Sequence, residues 1–346
     1  MRSLDAGVFI LGMHRSGTSA ATRLVNLLGP AVPREDDLVP PSEKNPKGYW
    51  ESMSLVAINE RLLRAIGSDM SCPLPFRDGW DDDARLDHLR DEARRTFAWT
   101  FPAAPWVWKD PRNCLTLTFW RRLLDVRPVV VLVNRNPLEI VASSLRAARG
   151  DGKIYALALW ERYVREALDQ IGSLPVLVTS YDDLLEAPLA WCELAGTFLT
   201  RSGIDAAAAR EADVLSFVDP KLRRAASSRD RFLGDPDVSE SQRELFLALE
   251  RQRGLHDVYA PPLLPAETVT TEALLAERRR SVAAKLELSR LQRLERRRRW
   301  FALRQSRYAN AARRLSAAVR LQTEEPAGAP IVEAGETLTA AEPFPP

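Results

Sequence analysis

The sequence predicts an α/β fold in which a parallel sheet carries helices on both faces, giving three layers. Two observations indicate it: short apolar runs bounded by breaking residues alternate with segments of helical spacing, and a glycine-rich turn links the first run to the first helix. The chain has 346 residues, of which 45% are hydrophobic and 28% charged. This length predicts one large core with an appendage.

The predicted strands are four short apolar runs. Residues 8–11, 129–133 and 176–178 are typical of buried parallel strands, and residues 106–108 are a fourth candidate. Helical spacing predicts helices between and after them, over residues 20–28, 52–66, 83–99, 117–124, 138–148, 155–171 and 238–255. The irregular stretch 31–47 is too long for a simple connection, so we interpret it as a substrate-side loop.

A glycine-rich turn directly follows the first predicted strand. It reads Gly12-Met13-His14-Arg15-Ser16-Gly17-Thr18-Ser19, with glycines for tight geometry and hydroxyls at the start of the next helix. Backbone N–H groups of residues 15–18 would form an anion nest that the helix dipole reinforces. Thr18 occupies the position where nucleotide hydrolases require lysine. The turn therefore predicts a site that binds a phosphate-type group but is not specialised for triphosphates. The alternative is an ordinary strand-to-helix turn without a ligand.

A second segment, after the third predicted strand, contains Arg135, Pro137 and Ser143. Proline suits the first turn of a helix, so Arg135 lies at the carboxyl end of its strand and Ser143 two turns into the helix. Ligands of open α/β sheets bind at that end. Arg135 and Ser143 could therefore bind a second phosphate. The alternative is that Arg135 forms an ion pair with a surface carboxylate.

Charge is distributed unevenly along the chain. The net charge of +2 hides 15 Lys or Arg against three Glu in residues 277–321 and five Glu without a base after residue 321. Prolines at 261, 262 and 265 mark a boundary, and residues 274–321 lack Pro and Gly. We predict three parts: an α/β domain over 1–258, a basic helical extension over 259–321 and a disordered tail over 322–346.

Several function classes are disfavoured by composition. No apolar run reaches 18 residues, and the first residues do not form a secretion signal. The three cysteines are far apart and form no CxxC pair. These features predict a cytoplasmic protein without a metal site.

Taken together, the two phosphate segments resemble the PAPS-dependent sulfotransferase family, a P-loop fold. Residues 45–51 (NPKGYWE), 108–112 (WKDPR) and 180–185 (SYDDLL) resemble its bacterial branch, and the likeness covers about residues 7–255. The resemblance implies that residues 12–19 hold the 5′-phosphosulfate, that Arg135 and Ser143 hold the 3′-phosphate, and that Tyr181 contacts adenine. It implies PAPS as donor, PAP as product, no required metal, and a carbohydrate or glycolipid acceptor.

The chain departs from the cytosolic branch of that family, which uses lysine in the first loop and Lys-Thr-His on the next strand, where this chain has Arg15 and Lys109-Asp110. Arg15 and Lys109 are the candidate catalytic cations, with a surface charge and an ion pair to Asp110 as their alternatives. Glu51 is the first candidate base, because Tyr49 and Trp50 could desolvate it; a helix cap is its alternative.

Asp110 and His14 are further candidate bases. Trp160 and Tyr163 are candidates for contact with adenine, although their spacing on a helix favours the core. Lys221, Arg223 and Arg224 lie where members of the resembled family often supply a late basic contact to the 3′-phosphate, but a solvated surface is the expectation for them.

The basic helix leaves several interpretations open. It could lie on the catalytic domain, pair with a partner helix or bind an anionic inner-membrane surface. The alternative to all three is that the charged residues form a face that only contacts water. No nucleic-acid-reading motif accompanies the charge. The alternatives to a sulfotransferase are a P-loop kinase or nucleotide hydrolase and a non-catalytic nucleotide-binding scaffold.

Overall fold

A five-stranded sheet lies at the centre of the chain. The structure, a computed structural model, describes residues 6–324 except 44, 125, 127, 148–151, 220–222, 224 and 225. The predicted tail therefore lies outside the described residues from 325 onward. The chain divides into two compact units, Met1–Val282 and Ala283–Pro346, and the sheet belongs to the first.

The strand order in the sheet is β2-β1-β3-β4-β5. The first four strands run parallel and β5 runs antiparallel to β4. The strands are β1 Gly7–Leu11, β2 Trp106–Lys109, β3 Val129–Asn134, β4 Val176–Ser180 and β5 Gly254–His256.

Helices connect and cover these strands. The first six are α1 Thr18–Leu27, α2 Met53–Ala65, α3 Asp87–Thr100, α4 Asn113–Leu124, α5 Pro137–Ala147 and α6 Lys153–Ile171. The others are α7 Tyr181–Glu186, α8 Pro188–Arg201, α9 Glu211–Phe217, α10 Arg229–Leu233, α11 Glu240–Arg251 and α12 Val269–Glu324. None of the helices within the described ranges combines the length and apolarity needed to cross a bilayer.

Two apolar cores cover opposite faces of the sheet. Alternate residues of β1 point to opposite sides, so that Phe9 and Leu11 join one core while Val8 and Ile10 join the other. The first core is completed mainly by α2, α3, α4 and α6, and the second by α1 and α8. The predicted three-layer α/β fold is confirmed.

The observed elements differ from the predicted ones mainly in the part of the chain that follows β4. The helix predicted over 238–255 ends at Arg251, and residues 254–256 form the antiparallel strand β5. Three residues of intermediate burial carry no apolar run, so their pairing with β4 depends on tertiary contact. The helices α7, α8, α9 and α10 were not predicted.

The start of α12 packs on the sheet-containing unit. The helix begins at Val269, five residues before the predicted start. Leu275 is fully buried, and the buried Arg162 of α6 pairs with Glu272 at 2.7 Å. Arg279 donates to the carbonyl of Pro73 at 2.8 Å. These contacts make the first turns of α12 part of the core of Met1–Val282.

Two truncations are expected to differ in stability. Removing residues 283–346 should leave the urea midpoint of unfolding nearly unchanged, because the contacts of α12 given above are all made by residues before 283. Removing residues 269–346 should lower the free energy of unfolding by about 3–5 kcal/mol, since Leu275 is lost and a buried guanidinium loses a partner. Equal midpoints for both truncations would show that these contacts contribute nothing.

Candidate functional site

A cavity of about 320 Å³ opens at the carboxyl ends of the parallel strands. Its wall includes the predicted site residues His14, Arg15, Gly17, Thr18, Ser19, Glu51, Lys109, Arg135, Ser143 and Tyr181. The predicted residues Gly12, Ser16 and Asp110 are buried or packed behind this lining. The two predicted phosphate segments therefore face one cleft.

The first loop has the backbone conformation of a tight nest. Gly12 has a φ of +148° and Gly17 a φ of +101°, and Arg15 is left-handed at +73°. The N–H of Gly12 donates to Cys114 Sγ at 3.2 Å.

One of the four expected nest donors is already used, because Ser16 N–H donates to the carbonyl of Met13 at 3.1 Å. Thr18 and Ser19 are the first two residues of α1, so their N–H groups have no acceptor within the helix. An anion here would meet helix-terminal donors and the positive end of the α1 dipole.

The two predicted phosphate segments are hydrogen-bonded to each other. Arg15 Nε donates to Ser143 Oγ at 2.8 Å, and Arg135 Nη1 donates to the carbonyl oxygen of Arg15 at 2.9 Å. Arg135 and Ser143 are each 8% exposed. The side chain of Arg15, one of the two candidate catalytic cations, thus reaches toward the Arg135 segment.

Tyr181 lies between the first loop and Arg135. A Cβ atom built on Gly17 would lie 2.2 Å from Tyr181 Cδ2, so no side chain fits at Gly17 while the ring stays there. The Tyr181 ring also contacts Arg135, whose guanidinium lies 4.3 Å from the ring centroid. Burial raises the pKa of Tyr181. The aromatic ring is thereby fixed beside both predicted phosphate segments.

A buried carboxylate, which sequence reasoning missed, organises the arginines. Glu139 is 1% exposed and accepts from Arg135 Nε at 2.8 Å, from Arg223 Nη2 at 2.6 Å and from Ser227 N–H at 2.9 Å. The expectation that Arg223 lies on a solvated surface is wrong, because it also pairs with Asp182 at 2.9 Å. The spacing of Arg135 and Glu139 by four residues on a helix start was the available sequence clue.

Of the other two basic residues predicted on that surface, Lys221 and Arg224 lie outside the described residues.

Lys109 and Glu51 form a buried ion pair in the cavity wall. Lys109 is 3% exposed; its Nζ contacts Glu51 Oε1 and donates to the carbonyl of Tyr49 at 3.3 Å and to Ser19 Oγ at 3.4 Å. The helix-cap alternative for Glu51 is wrong, since Ser52 Oγ caps α2 by accepting from Leu55 N–H at 3.0 Å. This pair places a cation and a carboxylate next to the first loop.

The two aromatic residues before Glu51, which were predicted to desolvate its carboxylate, make contacts elsewhere. Trp50 has a φ of +60° and packs on Phe217, and its Nε1 donates to the carbonyl of Lys47 at 3.1 Å. The Tyr49 hydroxyl bonds to Ser42 Oγ at 2.6 Å. Lys109, rather than an aromatic ring, is therefore the observed partner of the Glu51 carboxylate.

Asp110 holds a second buried cation in place. One Asp110 oxygen accepts from Arg112 N–H at 2.9 Å and from Nη1 at 3.0 Å, and the other accepts from Asn59 at 2.9 Å. Arg112 also pairs with Glu60 at 2.9 Å and lines the cavity. The alternative pairing of Lys109 with Asp110 does not occur, and Arg112 is a cavity cation to which sequence reasoning gave no role.

His14 is a neutral imidazole at neutral pH. Burial, reinforced by Arg15, Lys109 and Arg112, lowers its pKa to about 4. Its ring meets the Tyr163 ring edge to face at 5.9 Å, and its Nδ1 has no hydrogen-bond partner. As predicted, Tyr163 and Trp160 belong to the core.

This lowered pKa predicts an acid-dependent loss of stability. The unfolded chain binds a proton near pH 6.5 and the folded chain only near pH 4, so the His14 contribution is complete above 6.5 and disappears as the pH falls toward 4. Comparing urea unfolding of the wild type with His14→Asn at pH 7 and pH 4.5 should reveal a difference of about 2–3 kcal/mol. Identical pH profiles would contradict a depressed pKa.

Comparisons with known proteins give a weak structural likeness. No protein-family model matches this chain, and no curated protein matches it. A solved structure described as the sulfotransferase domain from the curacin biosynthetic pathway is similar with 15% sequence identity and a TM-score of 0.36. The match covers 79% of this chain and 97% of that one.

Proposed function

We propose that this chain is a sulfotransferase that transfers the sulfuryl group of PAPS to a hydroxyl group. The observation that carries the proposal is the direct hydrogen bonding between the lysine-free loop and the Arg135–Ser143 segment in one cleft. Two anion-binding groups that share a cavity with an aromatic ring suit a nucleotide with phosphates at both ends.

The residues of the cleft fit such a donor. Gly17 leaves no room for a side chain because the Tyr181 ring packs against it, so the first loop and an aromatic ring lie side by side in the cleft. Ser16 Oγ and His14 Nδ1 are buried atoms without hydrogen-bond partners. In the proposal, residues 12–19 hold the 5′-phosphosulfate, Arg135 and Ser143 hold the 3′-phosphate, and Tyr181 contacts the adenine.

The Lys109–Glu51 pair suits the chemistry of the transfer. PAPS, when bound, supplies an activated sulfuryl group. Lys109 neutralises negative charge on the transferred group and the phosphate that leaves, and Glu51 accepts the proton of the attacking hydroxyl. The sulfur–oxygen bond to the donor phosphate breaks as the bond to the acceptor oxygen forms, leaving PAP. Neutral His14 can donate one hydrogen bond, and the step as proposed uses no metal.

The acceptor proposed is a saccharide or glycolipid, on the resemblance of residues 45–51 and 180–185 to the bacterial branch. Residues 45–49 line the cleft mouth, which supports the interpretation of 31–47 as a substrate-side loop. We propose a cytoplasmic location. The three cysteines are free and buried, which is compatible with it.

Calorimetry with PAP, ATP and GTP, with and without magnesium, distinguishes the candidate functions. A sulfotransferase is expected to bind PAP tightly without magnesium. A kinase or hydrolase would bind ATP or GTP in a magnesium-dependent manner, against which stands Thr18 in the lysine position. A scaffold would bind nucleotide yet fail to transfer label from PAPS to any member of an acceptor panel. Absence of PAP binding would refute the proposal.

A further inference from the structure

The helix α12 presents a long exposed surface after residue 282. The described side chains of residues 283–320 are almost all exposed, including large apolar ones. Leu294, Phe301 and Leu315 are 51%, 51% and 67% exposed. Large apolar side chains that recur along an exposed helix mark an interaction surface.

Most of the exposed apolar residues from Leu294 onward form one narrow stripe, whereas Leu303 lies on the opposite side of the helix. Four of them recur every seven residues, namely Leu294, Phe301, Tyr308 and Leu315. At 100° per residue they stay within about 60° of arc, and Ala312 and Val319 fall in the same sector. We call these six residues the apolar stripe.

Arginines flank the apolar stripe and cover the opposite side of the helix. Residues 294–320 contain nine arginines and one acidic residue, Glu295. The arginines are Arg296, Arg297, Arg298, Arg299, Arg304, Arg307, Arg313, Arg314 and Arg320. Helical geometry places Arg297 at the edge of the stripe in the direction of Leu315, Arg298 and Arg304 beside the stripe, and the other six arginines on the opposite side of the helix.

The positive charge and the apolar side chains together indicate which kind of partner binds this helix surface. A second copy of this helix would bring equal positive charge against the arginines, which disfavours self-association. A nucleic acid would satisfy the arginines but would leave leucine and phenylalanine in water. An anionic bilayer satisfies both, because apolar side chains enter the acyl boundary while arginine stems extend to the phosphates.

We propose that residues 283–320 dock the protein on an anionic phospholipid surface, with the apolar stripe inserted and the arginines at the headgroups. This inference is independent of the proposed transferase activity. Flotation of the full chain with vesicles tests it, using phosphatidylcholine alone or with 30 mol% phosphatidylglycerol, at 50 mM and 500 mM salt. At 50 mM salt the partition coefficient is expected to be more than about tenfold higher on the anionic vesicles.

Two variants separate insertion from charge attraction. L294Q/F301Q/L315Q keeps the charge and uses a good helix former, and it should reduce partition at least about tenfold. R296Q/R297Q/R298Q/R299Q should reduce it similarly and weaken its salt dependence. A matched control, R64Q/R85Q/R94Q/R251Q, removes four exposed charges from the other unit and should bind like the wild type.

The proposal is overturned by failure to float with anionic vesicles at 50 mM salt, or by unchanged partition of L294Q/F301Q/L315Q. The latter result, together with tighter binding to a DNA duplex than to vesicles, would indicate a nucleic acid partner instead. Dimerisation of the full chain that L294Q/F301Q/L315Q abolishes, without vesicle binding, would indicate a second copy.

Discussion

Arg135→Ala is expected to weaken PAP binding about 100-fold. In the proposed complex the guanidinium makes charge-assisted hydrogen bonds to the 3′-phosphate, each contributing about 1.5–3 kcal/mol, and 1.4 kcal/mol corresponds to a factor of ten in Kd. Arg135 is already fixed by Glu139, by the Arg15 carbonyl and by Tyr181. Titration calorimetry measures the change directly, and Arg135→Lys should recover part of the affinity because it keeps the charge without the planar fork.

A second arginine provides the control for lost charge. Arg122→Ala removes the same charge and breaks the pairs with Asp81 and Asp82, which lie outside the cleft. It should bind PAP like the wild type. Because Arg135→Ala also leaves the buried Glu139 with fewer partners, its thermal unfolding must be measured alongside. A folded Arg135→Ala protein with wild-type affinity would remove Arg135 from the donor site.

Glu51→Gln is expected to lower the turnover of sulfuryl transfer by about 100- to 10,000-fold, the range typical of a general base. Glutamine keeps the volume and can still accept a hydrogen bond from Lys109, so PAP affinity should change far less than turnover. Initial rates with labelled PAPS, compared with the Kd of PAP, separate the two effects.

The control for Glu51 is a carboxylate on the neighbouring helix. Glu60→Gln removes a negative charge that pairs with Arg112 in the cavity wall but does not contact Lys109. It should retain most of the turnover. If Glu51→Gln keeps full turnover with normal PAP binding, Glu51 has no part in proton transfer.

The strands and most helices were predictable because their signals are local. Residues 8–11 and 129–133 are apolar runs bounded by polar turns, and they form β1 and most of β3. Arg135 could likewise be placed at a strand end from the following proline. β5 was missed because its three residues pair with β4 through tertiary contact alone.

The remaining features of the site depend on distant parts of the chain. Arg112 is held by Glu60, 52 residues earlier, and Gly17 is covered by Tyr181, 164 residues later. No local pattern contains such pairings. The Glu51 surroundings were misjudged for a related reason: sequence neighbours suggested aromatic rings, whereas the fold brings Lys109 from the end of β2.

The sulfotransferase proposal requires that the first loop and the Arg135–Ser143 segment bind opposite ends of one nucleotide. Its most direct test compares the Kd values of PAP and adenosine 5′-phosphate, which lacks the 3′-phosphate, for the wild type and for Arg135→Ala. The wild type is expected to prefer PAP strongly, and Arg135→Ala is expected to lose this preference while binding adenosine 5′-phosphate almost normally. Equal weakening of both ligands, or a preserved preference for PAP, would contradict the proposal.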